Sequence, residues 1–313
     1  MRKIYGIGET VLDIIFKNDT PQAAKPGGSV LNSLVSMGRI GMPVSFISDY
    51  SQDDVGELVE RFLKNNGVNT RLVHRFKKGN TSLAMAFLDE NNDAHYTFYK
   101  NKPAERIDIK LPEIKKGDII QYGSFYAIWT EIRRRFRNFI RDAKDNGAIV
   151  LYDPNFRKTH IPELVKLKPL IIDNIEISTL IRGSDQDFRN IFGTGSADDT
   201  WNIISNHCKC MIYTANEEGV FVRTPSFSGK FPVKKITPLS TIGAGDSFNA
   251  GVITSLFEKR IRAEQLTELT ETEWSEIISV AVDFATDVCC SYNNYVSESF
   301  ANEFISARAR TKK

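Results

Sequence analysis

A glycine-rich turn in the last third of the chain has the residue types that a phosphate-binding site needs. Gly243, Ala244 and Gly245 carry no bulky side chains, so backbone N–H groups can approach an anion closely. The turn runs directly into an apolar helix, whose first turn adds unpaired donors and about half a positive charge. Asp246 then has two open interpretations, as a cap of that helix or as a carboxylate beside a bound phosphate. No Lys-Ser/Thr pair follows the glycines, so the turn is not a Walker A loop.

A second pair of glycines lies near the amino end, also just before a predicted helix. Gly27 and Gly28 permit close approach of the backbone, and Asn32 lies one turn inside the helix. A tight turn followed by a polar residue that faces another helix explains the pattern equally well. A third pattern, at residues 6–8, begins like a dinucleotide-binding fingerprint. Val11 replaces its third glycine and a β-like segment follows, which argues against a nicotinamide site.

These candidate residues need a framework, and the apolar pattern predicts its elements. From about residue 107 onward, strands and helices alternate, and the strands are continuously apolar. This pattern is typical of a mostly parallel sheet covered by helices on both faces. The predicted strands of this part span residues 118–122, 148–152, 170–172, 210–213, 220–223, 229–233 and 234–236, and the predicted helices span residues 130–146, 246–257 and 273–290.

The segment 81–100 has a different character from the alternating parts. Two β-rich runs flank a polar turn, which predicts a hairpin. The turn resembles an EF-hand loop that starts at Asp89. Ala94 stands at the sixth position, where glycine is needed, and Lys100 replaces the glutamate of the twelfth, so we reject a calcium site.

Composition excludes several classes of protein. The chain has 313 residues, and its 41 Lys and Arg nearly balance its 39 Asp and Glu, which argues against nucleic-acid binding. No apolar run approaches the roughly 18 residues of a membrane helix, and the amino end has no long apolar signal core. Four cysteines do not form a disulfide framework, so we expect a cytoplasmic protein. Length alone suggests about two domains.

Taken together, the motifs resemble those of the ribokinase-like, or PfkB-type, carbohydrate kinases. Gly27-Gly28 with Asn32 is similar to the family's amino-terminal signature, and residues 241–246 are similar to its carboxyl-terminal one. The Gly-Glu-x-x-x-Asp pattern at residues 8–13 and the Asp-Pro-Asn-x-Arg pattern at residues 153–157 resemble the fructokinase-like branch. The resemblance implies one α/β domain over residues 1–313. It would be a three-layer α/β/α fold with a mostly parallel central sheet and a small β lid from segments 14–26 and 80–102.

The family transfers the γ-phosphoryl group of ATP to a primary hydroxyl of a sugar or nucleoside, with Mg²⁺. By resemblance, Asp246 is the catalytic base, and Gly243, Ala244 and Gly245 form the anion hole for the γ-phosphate. The candidate sugar contacts are Asp13, Gly27, Gly28, Asn32 and Arg157, although Arg157 could equally be a surface residue.

The resemblance also suggests residues for the nucleotide end. Glu176 falls at the acid of an Asn-x-x-Glu motif, which organises water around Mg²⁺, but Asp173 takes the place of Asn. A Thr-x-Gly-x-x-Gly segment starts at Thr214 and ends at Gly219, with Asn216 in place of the first glycine.

Two further positions bear on the nucleotide and on cations. Thr241, at the start of the carboxyl-terminal signature, is a further candidate for nucleotide binding. Ser240 stands where many members have the Asp of a monovalent-cation site, so potassium activation is doubtful.

The expected partners are a small sugar and ATP, with no nucleic acid and no membrane. A lid would exclude water from the reaction, and in several relatives its exposed face forms a homodimer. Two alternatives stay open. One is a ribokinase or nucleoside kinase. The other is a catalytically weak regulatory protein that binds a sugar or nucleotide, which the departures at Asp173, Asn216 and Ser240 would suit.

Overall fold

The computed structural model describes residues 2–88, 94–101 and 110–311. The strands among them are β1 (Ile4–Ile7), β2 (Val11–Lys17), β3 (Thr20–Gly27), β4 (Val44–Ser51), β5 (Asn69–Phe76), β6 (Asn80–Leu88), β7 (Ala94–Asn101), β8 (Ile119–Gly123), β9 (Ile149–Asp153), β10 (Leu180–Ser184), β11 (Met211–Ala215), β12 (Gly219–Arg223) and β13 (Ser228–Phe231).

The helices among these residues cover the strands and connect them. They are α1 (Ser29–Arg39), α2 (Asp54–Asn65), α3 (Thr130–Asp145), α4 (Leu164–Glu176), α5 (Asp185–Phe192), α6 (Ala197–Ile204), α7 (Ala244–Glu258), α8 (Glu271–Cys289) and α9 (Glu298–Thr311). None of the helices described is both long enough and apolar enough to cross a membrane.

The large sheet is mostly parallel, as predicted. Its strand order is β13-β12-β11-β10-β9-β8-β1-β4-β5. All neighbours from β5 to β11 pair in parallel, and only β12 and β13 pair antiparallel at one end. The carboxyl ends of the parallel strands therefore meet at a single edge, where open α/β sheets bind their ligands.

Helices pack on both faces of this sheet. In β9, Ile149 and Leu151 belong to one apolar core, while Val150 and Tyr152 belong to the other. The first core includes residues of α1, α2, α7 and α8, and the second includes residues of α3, α4, α5 and α6. Alternate side chains of one buried strand thus serve two cores. The predicted three-layer α/β/α architecture is confirmed.

A second sheet of four strands has the order β3-β2-β6-β7. β2 and β6 pair in parallel, and the other pairs are antiparallel. These strands overlap the segments predicted for the lid, 14–26 and 80–102, but β2 begins at Val11 and β3 ends at Gly27; residues 89–93 and 102 lie outside the described residues. The division of the chain into a main body and a lid stays a prediction.

Two predicted strands are wrong. Residues 170–172 lie inside α4, where Leu167, Ile171 and Ile175 are buried at helical spacing. A short apolar run does not distinguish a strand from the buried side of a helix. The strand of this region is β10, ten residues later. Residues 234–236 form no strand.

Candidate active site

The two glycine motifs meet at the carboxyl edge of the large sheet. Ser29, the first residue of α1, donates its hydroxyl to Oδ1 of Asp246 at 2.6 Å. Asn32, one turn later, donates Nδ2 to Oδ2 of Asp246 at 2.9 Å. Residues three apart on a helix share a face, so both donors reach the same carboxylate. The structure therefore brings Asn32 and Asp246 together, as the resemblance implies. Sequence reasoning missed Ser29, although its Ser-x-x-Asn spacing was visible.

The pKa of Asp246 is raised to about 6. Burial of the carboxyl is the largest cause, and the charge of Asp153 adds to it. The hydrogen bonds from Ser29 and Asn32 and the charge of Arg157 act in the opposite direction. A carboxylate whose pKa lies near neutral pH is a better proton acceptor than an ordinary aspartate.

The turn before α7 has a backbone that requires glycine at its first position. Gly243 has a φ of 81° in the left-handed region, and a Cβ placed on it would lie 2.3 Å from the carbonyl oxygen of Asn294. The turn is closed by Ala244 N, which donates to the carbonyl oxygen of the exposed Thr241 at 3.3 Å. The next N–H groups, at the start of α7, have no intrahelical partner and can bind an anion.

Asp13, on β2, lies close to the entry of α1. A Cβ on Gly27 would lie 2.1 Å from Oδ2 of Asp13, so glycine is needed for this carboxylate to lie where it does. The next residue, Gly28, has a φ of 136°, and its Cβ would lie 2.4 Å from the carbonyl oxygen of Glu9. Burial raises the pKa of Asp13 to about 7, and the charge of Glu9 adds to the rise. A buried carboxyl group beside the entry of α1 is suited to accept hydrogen bonds from sugar hydroxyls.

Only one of the two polar atoms of the Asn32 side chain has a hydrogen-bond partner among the described residues. Its Nδ2 is used on Asp246, while its Oδ1 is buried without a hydrogen-bond partner among the described residues. Buried polar atoms in native proteins are normally satisfied, so this oxygen is available to accept from a water molecule or from a bound ligand.

One cationic residue lies near Asp246 and another lies beside Glu9. Arg157 follows β9, is exposed, and lies near enough for its charge to lower the pKa of Asp246. Lys100 on β7 lies 3.6 Å from Glu9 and 5.6 Å from the centre of the Trp129 ring. Lys100 thereby connects the small sheet to the residue that precedes α3, a contact that the sequence did not indicate.

The structure does not bring Asp173 and Glu176 to this edge. Both lie in the last turn of α4, ahead of β10, and so at the amino edge of the sheet. Arg133 and Arg137 form ion pairs with Asp173, and these arginines hold its pKa below the ordinary range. Glu176 accepts from His207 at 2.9 Å. Asp173 and Glu176 thus have partners within the protein, and their positions do not require a bound nucleotide.

Ser184 and Asp187 have the same spacing as Asp173 and Glu176, but Ser184 ends β10 at the carboxyl edge and Asp187 lies in the first turn of α5. Asp187 accepts from Ser184 N at 2.8 Å, from the Ser184 hydroxyl at 2.6 Å, and from Phe156 N at 2.7 Å. Burial raises the pKa of Asp187, and the charge of Asp153 adds to the rise. Once β10 is located, the geometry favours this pair over Asp173 and Glu176. The misplaced strand at 170–172 is the reason the pair was missed.

The segment that starts at Thr214 lies at the end of β11, on the same edge. The Thr214 hydroxyl accepts from Arg182 at 2.7 Å. Asn216 adopts a φ of 43°, a conformation that asparagine tolerates better than most residues, so it can replace glycine here. Gly219 has a φ of 116°, and its Cβ would lie 2.5 Å from the carbonyl oxygen of Phe231.

Comparison with known proteins agrees with this geometry. Residues 1–297 match the pfkB family carbohydrate kinases, so the chain belongs to that family. It is accordingly an ATP-dependent sugar kinase, and its family implies ATP and a divalent metal ion. A probable fructokinase-4 of Arabidopsis thaliana is 26% identical over 281 residues, which cover 86% of each chain. The predicted similarity to the fructokinase-like branch is confirmed.

Solved structures show the same fold. A fructokinase from Vibrio cholerae O395, in its fructose-, ADP- and calcium-bound form, has a TM-score of 0.83 at 20% identity. The match covers 97% of this chain and 99% of that one. An aminoimidazole riboside kinase from Salmonella enterica, with aminoimidazole riboside and an ATP analogue, has a TM-score of 0.80 at 19% identity. That match covers 97% of this chain and 100% of the other.

Proposed function

We propose that this protein phosphorylates a primary hydroxyl of fructose or a similar sugar. The main support is the position of Asp246, in the first turn of α7 beside the Gly243–Gly245 turn. Ser29 and Asn32 hold its carboxylate there by hydrogen bonds. A proton acceptor and an anion-binding helix terminus thus lie side by side. The curated fructokinases among the relatives support fructose as the acceptor.

The transfer step follows from this placement. Asp246 takes the proton of the acceptor hydroxyl while the hydroxyl oxygen forms a bond to the γ-phosphorus. The bond between that phosphorus and the bridging oxygen breaks, and ADP leaves with the electron pair. The N–H groups at the start of α7 stabilise the negative charge on the transferring group. Asp13 and Oδ1 of Asn32 accept from sugar hydroxyls and so hold the acceptor in line.

A divalent ion fits the charges at this edge. The negative charge of Asp153 raises the pKa of both Asp187 and Asp246, so a bound cation would favour the ionised forms of these two carboxyl groups. Mg²⁺ keeps most of its waters and needs few protein ligands, so Asp187 would hold it through water. When bound, the ion neutralises charge on the phosphates of ATP.

An acceptor screen tests the proposal. ADP release should be measured with fructose, ribose, other sugars, sugar acids and nucleosides, and fructose or a close analogue should give the highest kcat/KM. A nucleoside preference would instead support a nucleoside kinase. That outcome has some support from the aromatic side chains of Phe98 and Phe125 around Lys100. Sugar binding by calorimetry without turnover of any acceptor would favour the regulatory alternative.

Asp13→Asn should raise the KM for the sugar about 10- to 100-fold, because a hydrogen bond to a charged group is lost. The pKa of Asp13 in the folded state, about 7, lies above that of an unfolded aspartate. Its contribution to stability is therefore lost as the pH rises through about 7, and the variant should be more stable than the wild type at about pH 8. The exposed Asp19, in the turn between β2 and β3, replaced by Asn, is the control. An unchanged KM would remove Asp13 from the sugar site.

Asp187→Asn should lower kcat or raise the Mg²⁺ requirement by about 10-fold, the usual cost of losing a supporting residue of a metal site. Glu176→Gln should leave both unchanged, because Glu176 contacts His207 at the opposite edge. The measurement is a Mg²⁺ titration of the initial rate at saturating sugar. The reverse pattern would restore the role first expected for Glu176.

We also propose a homodimer through the outer face of the small sheet. The strand registers place Ile14, Phe16, Met85, Phe87 and Tyr99 on the face opposite to Asp13. Phe16 and Phe87 stack at 5.0 Å, and Tyr99 is 56% exposed. A largely apolar sheet face on a protein surface is typical of an interface. Sedimentation equilibrium measures the state directly, and a monomer at micromolar concentration would exclude it.

A cytoplasmic location is proposed on the basis of the cysteines. All four are free thiols, and Cys208 and Cys210 are buried in the core. Unpaired cysteines suit a reducing compartment. Cell fractionation tests this directly.

A further inference from the structure

Arg182 is a buried cation at the centre of the candidate site. It lies on β10 and is 8% exposed. Its Nη1 donates to Oδ2 of Asp153 at 2.9 Å, and its Nη2 donates to the Thr214 hydroxyl at 2.7 Å. The guanidinium also packs over the ring of Phe248 in α7, 5.5 Å from the ring centre. One side chain thus joins the ends of β9, β10 and β11 to the start of α7.

The guanidinium lies directly against the glycine-rich turn. A Cβ placed on Gly245 would lie 2.7 Å from Nη1 and 3.2 Å from Nη2 of Arg182. The space that a side chain at residue 245 would need is therefore occupied by the arginine. The need for glycine at residue 245 therefore has two explanations, the contact with Arg182 and the close approach of a phosphate.

A buried cation at this position is electrostatically costly unless negative charge lies beside it. Burial disfavours a charge, and the start of α7 is the positive end of its dipole. Asp153 offsets part of the cost, but its carboxylate also accepts from Asn249 at 2.7 Å and from Asn155 N at 2.9 Å. The Nε of Arg182 is buried and has no hydrogen-bond partner within the described chain. Arg182 and the amino terminus of α7 together place positive charge at one point. This arrangement stabilises a negatively charged group that binds there.

We propose that Arg182 is a positioning residue for phosphoryl transfer, which fixes the Gly243–Gly245 turn and supplies positive charge behind it as the phosphoryl group moves. The inference rests on the proposed function. The competing explanation is a purely structural ion pair between Arg182 and Asp153, and the two make different predictions for turnover.

The test compares Arg182→Met and Arg182→Lys in the full chain. We expect Arg182→Met to lower kcat about 100-fold, as when one donor of an oxyanion hole is lost, with the sugar KM nearly unchanged. It should weaken binding of ADP with aluminium fluoride, which mimics the transferring group, far more than binding of ADP alone. Arg182→Lys keeps the charge and should recover most of kcat. Equal kcat in the wild type and Arg182→Met would overturn the proposal.

A second pair of variants covers the case in which Arg182→Met folds poorly. The lone Asp153 would then be a buried, unpaired charge, and Arg182→Met with Asp153→Asn removes it. The double variant should regain Tm without regaining kcat. Recovery of both would show that the pair is only structural. Gly245→Ala should lower Tm less in the Arg182→Met background than in the wild type, because methionine can move away from the new Cβ. Equal losses would contradict the contact.

Failure of the proposed function is distinguishable from failure of this inference. A wild-type protein that phosphorylates no acceptor in the screen contradicts the proposed function. A wild type that is active together with an equally active Arg182→Met variant contradicts the role of Arg182 alone.

Discussion

Asp246→Asn should lower kcat by about 100-fold or more, because the amide cannot accept the proton of the acceptor hydroxyl. The shape of the side chain is kept. Asn32 offers an N–H to one oxygen of Asp246, and the Ser29 hydroxyl bonds to the other. The amide oxygen of the new Asn can face Asn32, while the Ser29 hydroxyl can rotate to accept from the amide nitrogen. The sugar KM should therefore change little. Steady-state ADP release with the preferred sugar gives both constants.

The pH profile of the wild type provides an independent check. The proposed role of Asp246 as base requires its ionised form, so kcat should fall as the pH falls through about 6. This limb should be absent from the residual activity of Asp246→Asn. Ser29→Ala, which keeps the base but removes a bond to its charged form, should move the limb to higher pH. A variant that keeps its turnover and changes only in sugar affinity would refute the role of Asp246.

The free energy of unfolding of Asp246→Asn shows whether a low kcat comes from the lost base or from unfolding. The folded-state pKa of Asp246 is raised, so its contribution to stability is present at low pH and is lost as the pH rises through about 6. The uncharged amide does not incur this loss. The variant should therefore be at least as stable as the wild type at about pH 8, and a low kcat there cannot come from unfolding.

The central residues of the site were predictable because each is tied to a local pattern. Gly243 and Asp246 stand at the junction of a glycine-rich turn and an apolar helix, and Gly28 and Asn32 stand at a similar junction. Parallel strands bring such junctions to one edge. The architecture followed for the same reason, since continuous apolar strands that alternate with helices have few ways to pack.

The residues that were missed act through partners far away in the chain. Ser29 bonds to Asp246 across 217 positions. Arg182 lies in a strand that the apolar pattern placed ten residues too early, so its neighbours were not apparent. The same misplacement led the sequence interpretation to Glu176, whereas Asp187 is the acid that we propose. Tertiary packing decides whether a short apolar run forms a helix or a strand. The positions of the polar residues next to such a run therefore cannot be predicted from the run alone.

Gly243→Ala should lower kcat by about 100-fold while leaving the protein folded. A left-handed residue with a side chain costs about 1–2 kcal/mol. The larger effect is steric, since the new Cβ would lie 2.3 Å from the carbonyl oxygen and 2.7 Å from the Cα of Asn294. Both atoms belong to the backbone and cannot rotate away, so the turn itself must move. A displacement of about 1 Å at a reacting centre can cost about 100-fold in rate. Steady-state kinetics and thermal unfolding of the variant measure the two effects separately.

Gly193→Ala is the matched control for this substitution. Gly193 ends α5 with a φ of 74°, close to the 81° of Gly243, but a Cβ there would meet nothing within 4 Å. The two variants incur the same backbone strain, and only Gly243→Ala adds a clash at the start of α7. Both should lose about 1–2 kcal/mol of stability from that strain, and Gly243→Ala should lose more because of the clash, whereas kcat should fall in Gly243→Ala alone. If kcat falls equally in both, the loss comes from stability. If it falls in neither, the turn can relax around a side chain and is not the rigid anion hole on which the mechanism depends.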